Sequence, residues 1–115
     1  DCVMDPWYPL GSADMLEAAS MGLHVGQMTG VEEMQYCFRA VTELPAKIMG
    51  LEGYGLEKGC KADMVILQAA DTIEALRLKP NRLFVIRCGK IIASSKPVQS
   101  ELELPGRPKL INFLK

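Results

Sequence analysis

Hydrophobic positions recur every three to four residues through the first part of the chain. Met15, Leu16, Ala19 and Leu23 fall at helical spacing and predict a helix over about 13–27. Ser12 is placed to cap it, and Asp14 in its first turn suits the positive end of the helix dipole. Ala18, Gly22 and Gly26 form a stripe of small residues spaced by four. Each glycine there lowers helix stability by about 1 kcal/mol, so the stripe predicts close approach of another element. After Thr29-Gly30, Val31, Met34, Phe38 and Val41 share one face of a second helix over about 31–43, with Cys37 beside them. Glu32, Glu33, Gln35 and Arg39 lie largely on the other face. Pro45 cannot continue the middle of that helix but can open a new one in its first turn. A third, short helix over about 44–50 follows, ended by Gly50.

From residue 53 the pattern changes. A glycine-rich run, Gly53-Tyr54-Gly55-Leu56-Glu57-Lys58-Gly59, leads into the apolar stretch Met64–Leu67, which has strand length. Asp71 caps a short helix over 72–78 that Pro80 stops. Residues 83–87 and 91–94 read as two strands joined by a tight turn at Cys88-Gly89-Lys90. Residues 98–104 alternate loosely and predict an edge strand before the breaker Pro105-Gly106-Arg107-Pro108. The tail 109–115 carries Leu110, Ile111, Phe113 and Leu114 and is expected to dock.

Length and charge narrow the classes. The 115 residues fit one domain. Net charge is −1, with the charges scattered and no basic stripe, which argues against nucleic-acid binding. Forty-nine per cent hydrophobic residues argue for a packed protein. No apolar run approaches the roughly 18 residues of a membrane span, and no signal peptide is visible. Cys2, Cys37, Cys60 and Cys88 lie far apart with no CxxC pair. That spacing disfavours a structural zinc site. Reduced thiols in a cytoplasmic protein are the expected state, with a disulfide framework as the alternative.

Candidate chemistry gathers at the start of the chain. In Asp1-Cys2-Val3-Met4-Asp5-Pro6-Trp7-Tyr8-Pro9-Leu10-Gly11, two prolines hold carboxylates beside two aromatic rings in an extended loop. Such a loop suits the lining of a small-molecule pocket. It also suits a rigid surface loop whose Trp7 packs on the core. His24, the lone histidine, lies mid-helix with no acidic or cysteine ligand at i+4, and reads as structural. The glycine-rich run lacks the Gly-Lys-Ser/Thr ending of a phosphate loop and precedes a strand rather than a helix.

The opening stretch, followed by Asp14-Met15-Leu16 and Met21-Gly22-Leu23-His24-Val25, resembles the C-terminal part of the bacterial cytosine deaminases. These are metal-dependent hydrolases of the amidohydrolase superfamily, built on a (β/α)8 barrel. A second stretch, Gly53 to Gly59 continuing through Cys60-Lys61-Ala62-Asp63-Met64-Val65-Ile66-Leu67, resembles a signature of the same superfamily, in which Asp63 marks a strand start and is structural. The resemblance implies an α+β fragment. Residues 1–50 would be the end of the barrel, with its last helix and the helices that follow. Residues 51–115 would be strands of the small C-terminal β-sandwich, plus the tail.

By the same resemblance, Asp1 matches the aspartate at the tip of the eighth strand that binds the catalytic metal and shuttles protons to and from the attacking water. Trp7 matches a tryptophan lining the base pocket. Cys2, at a position where some members carry a second acidic residue, joins it as a pocket residue. The implied cofactor is a divalent metal, iron or zinc, and the implied substrate a nucleobase, with cytosine hydrolysed to uracil and ammonia. A whole barrel needs roughly 250 residues, and a catalytic zinc takes about three protein ligands. The chain is therefore expected to be a C-terminal portion, silent alone, and completed by the remainder of the barrel or by self-association through unpaired strand edges. A non-catalytic interaction or relict domain is the alternative, as is a related cyclic amidine substrate such as isoguanine or creatinine.

Overall fold

A computed structural model describes residues 3–6 and 8–110. Asp1, Cys2, Trp7 and the last five residues, where part of the expected docking tail falls, lie outside the described residues. The element order is α1 (Met15–Val25), α2 (Val31–Arg39), α3 (Glu43–Ile48), β1 (Met64–Leu67), α4 (Thr72–Leu78), β2 (Arg82–Arg87) and β3 (Lys90–Ser94). The result is a small α+β arrangement with one three-stranded antiparallel sheet, in the order β1-β2-β3.

Asp14, not Ser12, caps α1: its Oδ1 accepts the Leu16 N–H at 2.8 Å. Ser12 instead donates its N–H and hydroxyl to Glu17 Oε2, at 2.8 and 2.6 Å. The helix ends at Val25, two residues before the expected end, because Gln27 turns left-handed at φ +50°. The Gln27 N–H then reaches the His24 carbonyl and the Met28 N–H the Leu23 carbonyl, which satisfies two of the last carbonyls of the helix.

The α2 helix stops at Arg39 rather than running to residue 43. Pro45 has no N–H, and its ring would strike the Val41 carbonyl in a continuous helix. Thr42 marks the break, with φ −129° and ψ −86°, and its hydroxyl donates back to the Phe38 carbonyl at 3.0 Å. Gly30 opens α2, and the Glu33 carboxylate reaches back to its N–H at 2.9 Å. Glycine at φ +62° ends α3 at position 50, with the Leu51 N–H on the Ala46 carbonyl at 3.0 Å.

The core is small. Leu16, Ala19 and Leu23 from α1, Cys37 from α2, and Ala75 and Leu76 from α4 form one buried cluster. Met28, Met34, Phe38, Val41, Leu67 and Ala69 pack around it. The core thus joins α1 and α2 to a helix that lies between two strands in sequence. Asp71 caps that helix as expected, its Oδ1 accepting the Glu74 N–H at 2.8 Å.

In the sheet, β1 has the predicted bounds and β2 and β3 each start one residue earlier. Cys88 and Gly89 both have positive φ, +48° and +73°. This is the turn that matches the right-handed twist of the flanking strands. Asp63 Oδ1 accepts the Cys88 N–H at 2.6 Å, and the Ala62 carbonyl takes the Gly89 N–H at 3.0 Å. Asp63 is therefore occupied in holding the hairpin turn.

The edge strand expected over 98–104 does not form. The Gln68 side-chain amide takes both backbone groups of Val98, accepting from its N–H at 2.9 Å and donating to its carbonyl at 2.7 Å. That side-chain clasp replaces a backbone ladder, and Pro97 and Pro105 flank the segment. A single bridge between Glu101 and Leu110 is the extended pairing seen there.

The small-residue stripe on α1 meets no partner at its centre: a Cβ added at Gly22 would find no atom within 4 Å. One at Gly26 would stand 3.1 Å from the Gly22 carbonyl oxygen and 3.2 Å from Met28 Cγ. Gly22→Ala is therefore expected to stabilise the chain by about 0.5–1 kcal/mol, and Gly26→Ala to gain nothing. The order of the two urea midpoints checks this.

Candidate functional site

The described part of the opening loop is closed by the Met4 N–H on the Pro9 carbonyl at 3.3 Å. Met4 adopts φ +52° to make the turn. Asp5 and Tyr8 are half-buried, whereas Met4 and Leu10 project outward. The loop leaves through Ser12, which Glu17 holds, and through Ala13, which is left-handed at φ +62°. The next residue, Asp14, meets Arg82 at the start of β2. Arg82 Nη1 donates to Asp14 Oδ2 at 2.7 Å and Nη2 donates to Asp14 Oδ1. This is a two-point ion pair between a guanidinium fork and a carboxylate, a geometry that fixes direction as well as distance.

Hydrogen bonding from Arg82 is the main reason the Asp14 carboxyl titrates below its ordinary value, against a smaller opposing effect of burial. Arg82 is pushed up by the same bond. Glu17 is also lowered, chiefly by the Ser12 hydroxyl. Asp14 has a lower pKa folded than unfolded. Its contribution to stability is thus complete above the ordinary aspartate value of 3.8 and is lost as pH falls through the folded value. Since the Arg82 side chain is 37% exposed and that of Asp14 22%, screening limits the pair to about 1 kcal/mol. Urea midpoints measured from pH 6 down to pH 3 should fall less steeply in Asp14→Asn than in the unmodified chain. Parallel curves would disprove the linkage.

Of the residues assigned to the site from sequence, Asp1, Cys2 and Trp7 lie outside the described residues. His24 is structural, with Nδ1 2.6 Å from the Ser20 carbonyl oxygen. Cys37, Cys60 and Cys88 are free thiols. Among the described residues no three His, Cys, Asp or Glu side chains come together as a metal site. No helix among them is long and apolar enough to cross a membrane. The glycine-rich run folds back on itself through the Lys61 N–H on the Gly53 carbonyl at 2.7 Å and passes into β1. An open apolar recess of about 330 Å3, lined by Tyr36, Ala40, Leu44, Pro45, Ile48 and Met49, lies between α2 and α3 and holds no acid–base pair.

Sequence reasoning missed the Asp14–Arg82 pair. The cap, expected at Ser12, was legible only as the three-residue spacing of Asp14 and Glu17, that of a capping box. The partner 68 positions away was not.

Comparison with known proteins places this geometry. Residues 1–99 match the Amidohydrolase family. The N-isopropylammelide isopropyl amidohydrolase of Pseudomonas sp. (strain ADP) is 29% identical over 99 residues, which is 85% of this chain and 25% of that protein. The crystal structure of 5-methylcytosine deaminase from Klebsiella pneumoniae, liganded with 5-fluorocytosine, is similar with a TM-score of 0.78 at 35% identity. The likeness covers 93% of this chain and 26% of that one. N-isopropylammelide isopropylaminohydrolase from Burkholderia multivorans is similar with a TM-score of 0.73 at 35% identity, covering 80% of this chain and 24% of that one. The chain thus spans about a quarter of the length of each of these relatives. With the match extending over most of its residues, the chain belongs to the amidohydrolase family.

Proposed function

We propose that this chain is the C-terminal part of a metal-dependent deaminase acting on cytosine or 5-methylcytosine. The observation that carries this reading is the likeness to 5-methylcytosine deaminase at 35% identity over 93% of the chain. In this reading residues 1–50 end a (β/α)8 barrel and residues 51–115 belong to a small β-sandwich. The opening loop lies at the C-terminal face of the barrel, where such enzymes place their sites.

The family generally uses a divalent metal. When bound, such a metal lowers the pKa of its water toward neutrality. The role assigned to this chain is that of Asp1, whose carboxylate helps hold the metal, accepts a proton and returns it to the departing ammonia. By the family resemblance Trp7 would offer a flat apolar wall to the base, and Cys2, next to Asp1 in sequence, would belong to the same pocket. The other ligands belong to the remainder of the barrel.

Shape supports a missing partner. The Cα radius of gyration is 16.7 Å, whereas a compact domain of this length measures roughly 13 Å. The outer strands β1 and β3 leave Val65, Ile66, Ile91 and Ile92 exposed. In this reading the rest of the enzyme covers those surfaces, and without it a second copy of the chain does. The isolated chain is expected to show no deaminase activity, and activity is expected to appear when it is mixed with the preceding three-quarters of the enzyme and a divalent metal. Ammonia release from cytosine and 5-methylcytosine measures this. An active isolated chain, or an inactive reconstituted pair, would overturn the reading.

The N-isopropylammelide relatives favour a second substrate class, in which an isopropylamino group leaves instead of ammonia. Release of isopropylamine from N-isopropylammelide by the reconstituted pair, with no ammonia from cytosine or 5-methylcytosine, would establish that class in place of the first.

A further inference from the structure

The exit of the opening loop is held by contacts that a simple helix start does not need. Ser12 gives both its donors to Glu17. Ala13 is left-handed at φ +62°, a conformation that costs an alanine about 1 kcal/mol and persists only where its surroundings hold it. Asp14 already caps α1 through the Leu16 N–H, and this needs only one carboxylate oxygen. The same carboxylate is nevertheless engaged at both oxygens by the Arg82 guanidinium. Arg82 is the first residue of β2, and its neighbour Asn81 gives its carbonyl to the Gln68 N–H at 3.2 Å just past β1. The sheet therefore reaches directly to the residue that follows the left-handed turn.

We propose that Arg82 is a positioning residue for the 1–12 loop: by clamping Asp14 it keeps Ala13 in its left-handed turn and fixes the direction in which the loop leaves α1. It thereby sets the direction of the segment that carries Asp5 and Tyr8. Without the clamp, Asp14 still caps the helix through one oxygen, Ala13 relaxes to negative φ, and the loop swings as a unit about residue 13. This function of Arg82 rests on the reading that residues 1–11 line the site. The mechanical coupling does not.

Trp7, the sole tryptophan, reports on the loop in the 115-residue chain. Acrylamide quenching of Trp7 is measured for Arg82→Met, Arg82→Lys, Asp14→Asn and the Arg82→Met/Asp14→Asn pair, with far-UV circular dichroism confirming the fold. Arg82→Met and Asp14→Asn should each change the quenching constant by about twofold through local opening. The double variant should match either single one, since both remove one shared contact, and Arg82→Lys should fall between. Unchanged quenching in the single variants, or effects that add, would overturn the proposal. If Arg82→Met does not fold, Asp14→Asn and Arg82→Lys carry the same comparison, because one keeps the cap and the other the charge.

In the reconstituted enzyme, Arg82→Met should lower kcat about tenfold through misplacement of the loop, with KM changing far less and Arg82→Lys recovering part of the loss. Wild-type kcat in Arg82→Met would overturn the positioning role. An unmodified enzyme inactive on every base tested would instead overturn the substrate reading and leave the fluorescence result standing.

Discussion

Replacing Asp1 with asparagine in the reconstituted enzyme is expected to lower kcat on cytosine or 5-methylcytosine by about 100- to 10,000-fold, the range of a lost general acid–base group. Asparagine keeps the size of the side chain and can still offer one oxygen. It cannot accept a proton at neutral pH, nor hand one to a departing amine. The loss should therefore appear in kcat, which reports chemistry in the bound complex, more than in KM. The check is ammonia release at saturating base and fixed metal concentration, with metal content measured on the same samples. If Asp1→Asn binds metal and turns over at the wild-type rate, Asp1 is not the proton carrier. A variant that has lost both its metal and its activity shows that Asp1 is needed as a ligand and leaves the proton step to be read from Asp1→Glu.

The other large effect concerns the fold of the chain alone. Leu76→Ala is expected to destabilise it by about 2–5 kcal/mol, the range for emptying a buried leucine site. Leu76 is 3% exposed and sits on α4 among residues from α1 and α2. Among the described residues, Leu16, Leu23 and Leu76 are the three leucines of the buried cluster, and three further buried apolar positions are alanines. A core this small has little else to fill the cavity. Domains of this size have about 5–15 kcal/mol of total stability, so the variant should lose much of its cooperative urea transition. Ile92→Ala on β3 is the control: Ile92 is 62% exposed, and the change should fall within about 0.5 kcal/mol. Equal midpoints for the two variants would show that the three-helix cluster is not the core that holds the chain together.

Both experiments rest on parts of the molecule that were legible to different degrees. Helix caps and turns depend on residues three or four apart, so the chain itself announces them. The Asp71 cap, Gly50 after α3, and a tight turn at Cys88-Gly89-Lys90 were all readable; each forms, the turn closing one residue earlier because Lys90 already belongs to β3. The run Met64–Leu67 was a strand by its apolar character, and it is one. Errors also followed local reasoning. Ser12 was the natural cap, but Glu17 takes it and leaves the position to Asp14. Periodicity carried α2 across Thr42, where the missing N–H of Pro45 and its ring end the helix. Alternation at 98–104 promised a strand, but a strand needs a neighbour to bond, and the Gln68 side chain already holds Val98.

The candidate site divides in the same way. The assignment of Asp1, Cys2 and Trp7 rests on the resemblance of the opening stretch to a family motif, and the match over residues 1–99 shows membership of that family. Their arrangement lies outside the described residues. By itself the sequence determined the family, most of the elements and the local chemistry of their ends, because these depend on neighbours along the chain. Only the tertiary structure decided that α4 closes the core with α1 and α2, that Asp63 serves the hairpin turn, and that Arg82 reaches Asp14 across 68 positions. Such contacts are set by where packed elements leave their side chains in space, and no spacing along the chain records that.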